Sequence, residues 1–278
     1  MRRRRDDIEL KTPEQIRSMR AAGLVVAAGL AAMAEAAKPG VSTYELDQIA
    51  REVLAEAGAV SSFLGYAGPP PFPGVICSSR NARVVHGIPS PDDVLADGDL
   101  LSLDFGAIVD GWHGDAAVTL AVGQAGPDAL ALSHACRTAL WDGIAAARVG
   151  GRLTDISFAV QASVEDAGSY GIVAGYGGHG IGTAMHMDPH ILNYGKPGKG
   201  PRLVAGMALA IEPMITLGSA ETRQLADNWT VQTVDGSLAA HWEHTVALLP
   251  DGLWVLTAED GGRAELAARG VPVSALAD

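Results

Sequence analysis

The stretch LADGDLLSLD, residues 95–104, returns as LVAGMALAIE at residues 203–212, an offset of 108. Leu95 meets Leu203, Gly98 meets Gly206, Leu103 meets Ile211, and both copies end on a carboxylate, Asp104 and Glu212. Upstream the likeness continues at an offset of 110, where Gly40 meets Gly150, Glu45 meets Asp155, Leu46 meets Ile156, Leu54 meets Val164 and Gly58 meets Gly168. A repeat of this length implies two pseudo-symmetric halves. Because it ends on an acid both times, the duplicated feature includes the candidate site.

Each copy reads as two helices followed by strands. Thr12-Pro13-Glu14-Gln15 carries an N-cap Thr, Pro in the first turn and Gln three residues past the cap, the signature of a helix start. That helix should run to about Ala37, and a second from Ser42 or Thr43 to Gly58. Apolar runs then read as strands: GVICSS, RVVHGI, DLLSLDFGAIV and WHGDAAVTLAV. The second copy places helices over about 127–148 and 154–167, then strands in GMALAIEPMIT, NWTVQTV, AHWEHTVALL and LWVLTAE. Helices grouped ahead of antiparallel strands give an α+β class. We expect one domain over residues 12–257, with halves at about 12–123 and 124–257. Residues 1–11 read as a disordered tail and 258–278 as a peripheral one.

The chain has 278 residues, a net charge of −12 and 48% hydrophobic residues. An acidic balance argues against a general nucleic-acid binder, and the run Arg2 to Arg5 reads as a solvated tail followed by Asp6 and Asp7. Two cysteines, Cys77 and Cys136, give no disulfide framework and fit a reducing compartment. No signal-peptide core opens the chain. The apolar stretch 21–34 is too short to cross a bilayer and reads as a buried helix, so the expectation is a cytoplasmic protein without membrane contact.

Asp104, Asp115, Glu212 and Glu243 all lie in apolar strand-like runs, with no matching set of Lys or Arg nearby. Buried carboxylates need a partner. Asp110-Gly111 is a preferred two-residue hairpin turn, and it pairs residues whose numbers sum to 221. Asp104 then faces Ala117, which puts Asp115 on the same sheet face, diagonally roughly 7–8 Å away. GYGGHGIGTAMHMDP, residues 175–189, adds His179 and His186 in a segment too rich in glycine for a helix, which reads as a loop or strand edge. Four acids and an imidazole suit divalent cations such as Mn, Fe, Co or Zn, in a pair that activates water for hydrolysis.

The segments SFLGYAG, VVHGIP, LSLDFGAIVDGWHGDAA, GYGGHGIGTAMHMDP, GMALAIEPMI and NWTVQTVDGSLAAHWEHTV together resemble the type I methionine aminopeptidases of the bacterial kind, in the creatinase/aminopeptidase "pita-bread" superfamily, peptidase family M24. The resemblance runs from about residue 12 to 257. It implies a pita-bread fold of two pseudo-symmetric halves with the active site between them. It also implies removal of initiator methionine from nascent proteins when the second residue is small, by a monomer that meets its substrates at the ribosome. Asp104, Asp115, His179, Glu212 and Glu243 match the family's ligands for two metal ions, with Asp115 and Glu243 bridging and Glu212 also handling protons. His86 and His186 match the histidines that contact the substrate, and Tyr66, Phe72, Cys77 and Trp229 match positions around the methionine side chain. The chain departs from the pattern at the prolines of GPPPFP, at Met185, where Phe is usual, and at Met187, where Glu is usual.

Two other readings share these residues. A proline-specific peptidase, of the prolidase or aminopeptidase P kind, is expected to carry a large additional N-terminal domain, for which a first repeat starting near residue 12 leaves no room. A non-catalytic binding module is expected to have lost ligands, and all five are present.

Overall fold

The computed structural model describes residues 8–68 and 70–278. The Arg2 to Arg5 run and Pro69 lie outside the described residues.

The first half comprises α1 (Pro13–Ala36), α2 (Thr43–Ala57), β1 (Val60–Ser61), β2 (Ile76–Arg80), β3 (Arg83–Val85), β4 (Leu100–Val109) and β5 (Trp112–Ala121). The second half opens with α3 (Pro127–Ala146), α4 (Leu153–Ala167), β6 (Gly171–Ile172), β7 (Gly177–Gly180) and β8 (Met187–Leu192). It continues through β9 (Ala208–Ile211), β10 (Met214–Thr216), β11 (Thr222–Gln224) and β12 (Val231–Thr233) to β13 (Ala239–His241), β14 (Glu243–Leu249), β15 (Gly252–Val255) and α5 (Arg263–Ala268). The main sheet runs β1-β4-β5-β14-β9-β7-β8, with β2 on β4 and β15 on β14. Two small sheets, β13-β10-β6 and β11-β12-β3, complete the framework.

The repeat is visible in the backbone. Gly40 N–H donates to Leu95 O, and Gly150 N–H to Leu203 O; Gly98 N–H donates to Val122 O, and Gly206 N–H to Leu248 O. The isolated bridges Ser42–Val94 and Arg152–Arg202 stand at the same offsets. The glycines adopt matching left-handed φ values, +95° and +94° at Gly40 and Gly150, +91° and +92° at Gly98 and Gly206, where a side chain would be strained. The duplication has therefore kept the turns that require glycine.

Helix α1 starts as its sequence dictates, with a capping box between Thr12 and Gln15. Its 24 residues make it long and apolar enough to cross a membrane, yet it packs as a core helix. A Cβ on Gly23 would lie 2.1 Å from Leu256 O, and one on Gly29 2.4 Å from the Phe105 ring. Such contacts leave no lipid-facing surface on that side of the helix.

Several expectations are corrected. Residues 8–11 are not part of a disordered tail: Ile8 packs on the core, Lys11 is buried, and Lys11 N–H donates to Gly206 O at 2.8 Å. Nor is the last segment wholly peripheral, because Leu266 and Val271 enter the same core and Val273 bridges Leu253. The run 206–216 is two strands in different sheets, broken at Glu212-Pro213, since proline has no N–H for the ladder. The run 240–249 breaks likewise at Trp242. The glycine-rich segment contributes β7, an interior strand between β9 and β8. Its glycines admit neighbouring backbones, for a Cβ on Gly178 would stand 2.2 Å from Ala210 O and one on Gly180 2.1 Å from Asp188 O.

Candidate metal centre and substrate pocket

Strand register assembles the site. Asp104 pairs with Ala117 across β4 and β5, Gly106 pairs with Asp115, and Glu243 pairs with Ala117 from the other side. The register is the one the Asp110-Gly111 turn requires, with φ of +50° and +80° at those residues. His179 pairs with Ala210, which pairs with Thr245. Directly opposed residues share a face, so Asp104, Asp115, Glu243 and His179 point the same way over small neighbours. The breaks at Pro213 and Trp242 leave Glu212 just past the end of β9 and Glu243 at the start of β14.

The donor atoms fall into two groups that share Glu243. Oxygen and nitrogen atoms of Asp115, His179 and Glu243 lie within 4.8 Å of one another, and so do those of Glu212, His241 and Glu243. His179 Nε2 is 3.5 Å from Glu212 Oε1, and His241 Nε2 is 3.5 Å from Glu212 Oε2. Asp104 belongs to neither group but borders them beside Asp115. His241 was not among the residues singled out from the sequence, although it stands two positions before Glu243.

Four buried atoms here have no hydrogen-bond partner among the described residues: Asp104 Oδ1, Asp115 Oδ1, Glu243 Oε1 and His241 Nε2. Burial and mutual repulsion drive the acids to hold protons. Asp104 is pushed up to about 7, chiefly by burial and further by Glu212, against the pull of His241. Burial, then Asp104 and Glu212, raise Asp115 well above the carboxylate range, and burial does the same to Glu212 and, with Asp115, Glu212 and Asp104, to Glu243. His179 is pushed down to about 3 by burial and His186. Its Nδ1 lies 2.9 Å from Gly180 O, which assigns the proton to Nδ1 and leaves the Nε2 lone pair free, the arrangement usual for a ligating histidine. Among the described residues no Lys or Arg lines the cavity. Orphaned acceptors, neutral imidazoles and crowded acids are together a donor set suited to divalent cations.

Above the centre lies a cavity of about 130 Å³. Phe63, Phe72, Cys77 and Met185 form its buried apolar wall, with Tyr66 and Trp229 packed against them. Phe63 and Met185 join the residues the resemblance names. The proline loop folds back on this wall: Phe72 N–H donates to Tyr66 O, and Trp229 Nε1 donates to Pro70 O at 3.0 Å. Burial keeps the Cys77 thiol protonated, with the nearby acids adding to the effect. His86 and His186 border the cavity on its polar side. His86 is pushed down to about 4 by burial, His241 and His186, so at neutral pH it offers a neutral N–H. The His186 ring packs 4.3 Å from that of His179, and its Nδ1 lies 2.6 Å from the Tyr66 hydroxyl. The structure thus brings all eleven residues singled out from the sequence to one cavity.

Comparisons with known proteins agree with this arrangement. Residues 17–249 match the model of metallopeptidase family M24. The chain is 56% identical over 248 residues to methionine aminopeptidase 1 of Mycobacterium tuberculosis, covering 87% of this chain and 92% of that one. The crystal structure of a methionine aminopeptidase from Thermotoga maritima superposes with a TM-score of 0.88 at 38% identity, covering 91% of this chain and all of the other. A prolidase from Pyrococcus furiosus shares the fold alone, at 20% identity and a TM-score of 0.71, and this chain covers 65% of it. The pita-bread fold expected from the sequence is the fold observed.

Proposed function

The chain belongs to metallopeptidase family M24, and from that premise we propose that it is a methionyl aminopeptidase, removing the first methionine from proteins and peptides whose second residue is small. The observation that carries this reading is the apolar-walled cavity ending on two donor groups that share Glu243. In this reading the substrates are nascent chains in the cytoplasm and the enzyme acts as a monomer.

Asp104, Asp115, His179, Glu212 and Glu243 would hold two divalent cations, Co, Mn, Fe or Zn. Such ions supply a nucleophile at neutral pH and polarise a carbonyl. The chain's own residues do the rest. Phe63, Phe72, Met185 and Trp229 enclose the methionine side chain, whose sulfur packs well on aromatic edges. Glu212, 3.5 Å from both His179 Nε2 and His241 Nε2, takes a proton from the attacking water and passes it to the departing amine. His86 and His186 donate to the carbonyl oxygen as it gains charge. Asn193 Nδ2 donates to Glu212 O at 2.9 Å and fixes the backbone from which Glu212 works.

The test is a peptide panel with the cation-loaded protein. Release of Met from Met-Ala-Ser, with Ala-Pro-Ser left intact, is the expected result. Cleavage of Ala-Pro-Ser in preference to Met-Ala-Ser overturns the reading in favour of a proline-specific peptidase.

A further inference from the structure

The loop between β7 and β8 ends on His186, and its tip is held by the start of the chain. Ile181 N–H donates to Ala208 O at 3.1 Å and Gly182 O accepts from His113 N–H at 2.9 Å, which secures the loop's base. Beyond that, Thr183 is exposed. Among the described residues its hydrogen bonds go to Glu9 alone: its hydroxyl donates to one carboxylate oxygen and its N–H to the other, at 3.3 Å.

Glu9 is itself built into place. The Lys11 ammonium, 2% exposed, lies 3.3 Å from Glu9 Oε1 and donates to Glu9 O at 3.1 Å. A buried ammonium needs such a partner. Burial alone would raise the Glu9 carboxyl, but Thr183 and Lys11 hold it below its ordinary value. A Cβ on Gly182 would come within 2.2 Å of Glu9 Oε1, so the residue before Thr183 is one that lets the carboxylate approach. The two segments, 174 positions apart, fit each other at three points.

We propose that Glu9 is a positioning residue for the reaction: through Thr183 it holds the loop that presents His186 to the scissile carbonyl. This rests on the peptidase reading above. Only Ala184 and Met185 separate Thr183 from His186, whose ring must keep both its packing on His179 and its hydrogen bond to Tyr66. A displacement of about 1 Å at such a group costs up to ~100-fold in rate. With the latch in place the N-terminal segment forms part of the active-site scaffold.

The test compares wild type, Thr183→Val, Thr183→Ser and Glu9→Gln on Met-Ala-Ser with the full cation-loaded chain. Thr183→Val removes the hydroxyl donor at an exposed site and leaves the Glu9–Lys11 pair intact. We expect it to lower kcat about 10-fold, with KM and cation stoichiometry unchanged. Thr183→Ser should restore kcat, and Glu9→Gln should fall in between. Wild-type kcat in Thr183→Val overturns the proposal, as does a loss that Thr183→Ser fails to restore or one accompanied by loss of bound cation. Failure of the wild type to cleave Met-Ala-Ser would instead overturn the peptidase reading, so the two failures are distinct.

Discussion

Asp104 and Glu243 face the same residue, Ala117, from the two strands that flank it. Ala117 is fully buried, and its methyl group is the floor between two acids. A larger side chain there enters the space a cation needs. Ala117→Leu should therefore lose cation binding, measured by calorimetry, and lower peptidase activity more than 100-fold. The backbone register would survive, so far-UV circular dichroism should still report a folded protein. Full cation stoichiometry in this variant would show that Ala117 does not define the floor.

Metal removal should make stability fall with rising pH. Asp104 is pushed up to about 7, and burial carries Asp115, Glu212 and Glu243 well above their ordinary values. Acids raised in the folded state bind more protons there than in the unfolded chain. Their favourable contribution is complete below the ordinary carboxylate range, near pH 4, and is lost as pH rises through the folded values. The metal-free protein should thus show a Tm that declines between about pH 7 and 9, above the range in which the buried neutral His86 and His179 act in the opposite sense. Divalent cations should raise Tm more at pH 8 than at pH 5, because they bind the ionised set. A metal-free Tm that rises across this interval would contradict the burial of these groups as uncompensated acids.

Most of the centre was legible in the sequence, because the chain states it twice. The repeat pairs Asp104 with Glu212, and one turn, Asp110-Gly111, sets the register that brings Asp115 to the same face. His241 was not legible, since the second copy has no equivalent short hairpin from which to count. The structure supplies the missing alignment. Gly98 binds Val122 O as Gly206 binds Leu248 O, and counting seven residues back from each sets Asp115 against His241. The breaks at Pro213 and Trp242 were hidden for a related reason: hydrophobic patterning reports burial, and both halves of each broken strand are buried. The ordering of residues 8–11 was hidden by charge, because Lys11 reads as a surface residue until Glu9 is placed beside it.

His241 is therefore open to a direct test. Its Nε2 faces Glu212 and Glu243 and has no hydrogen-bond partner among the described residues, and burial holds the ring neutral. His241→Ala should weaken cation affinity about 10- to 100-fold, as expected for a group that supports ligands, and excess cation should recover much of the activity. Unchanged affinity in a cation titration would reduce His241 to a packing residue.

Met185 fills the apolar wall beside Phe63, Phe72 and Cys77 and is 6% exposed. Its unbranched side chain adapts to a neighbour where a ring would hold a fixed outline. Truncation to alanine removes wall contacts from the substrate methionine, at about 0.8 kcal/mol for each buried methylene lost. Met185→Ala should lower kcat/KM for Met-Ala-Ser about 10- to 30-fold, mostly through KM, because those contacts are the same in ground and transition states. The enlarged cavity should reduce discrimination against a bulkier first residue, so Phe-Ala-Ser should gain relative to Met-Ala-Ser. Steady-state kinetics on the two peptides read both effects. An unchanged KM with a fallen kcat would mean that Met185 acts by supporting the adjacent His186, and that the wall facing the methionine is made by the aromatic residues alone.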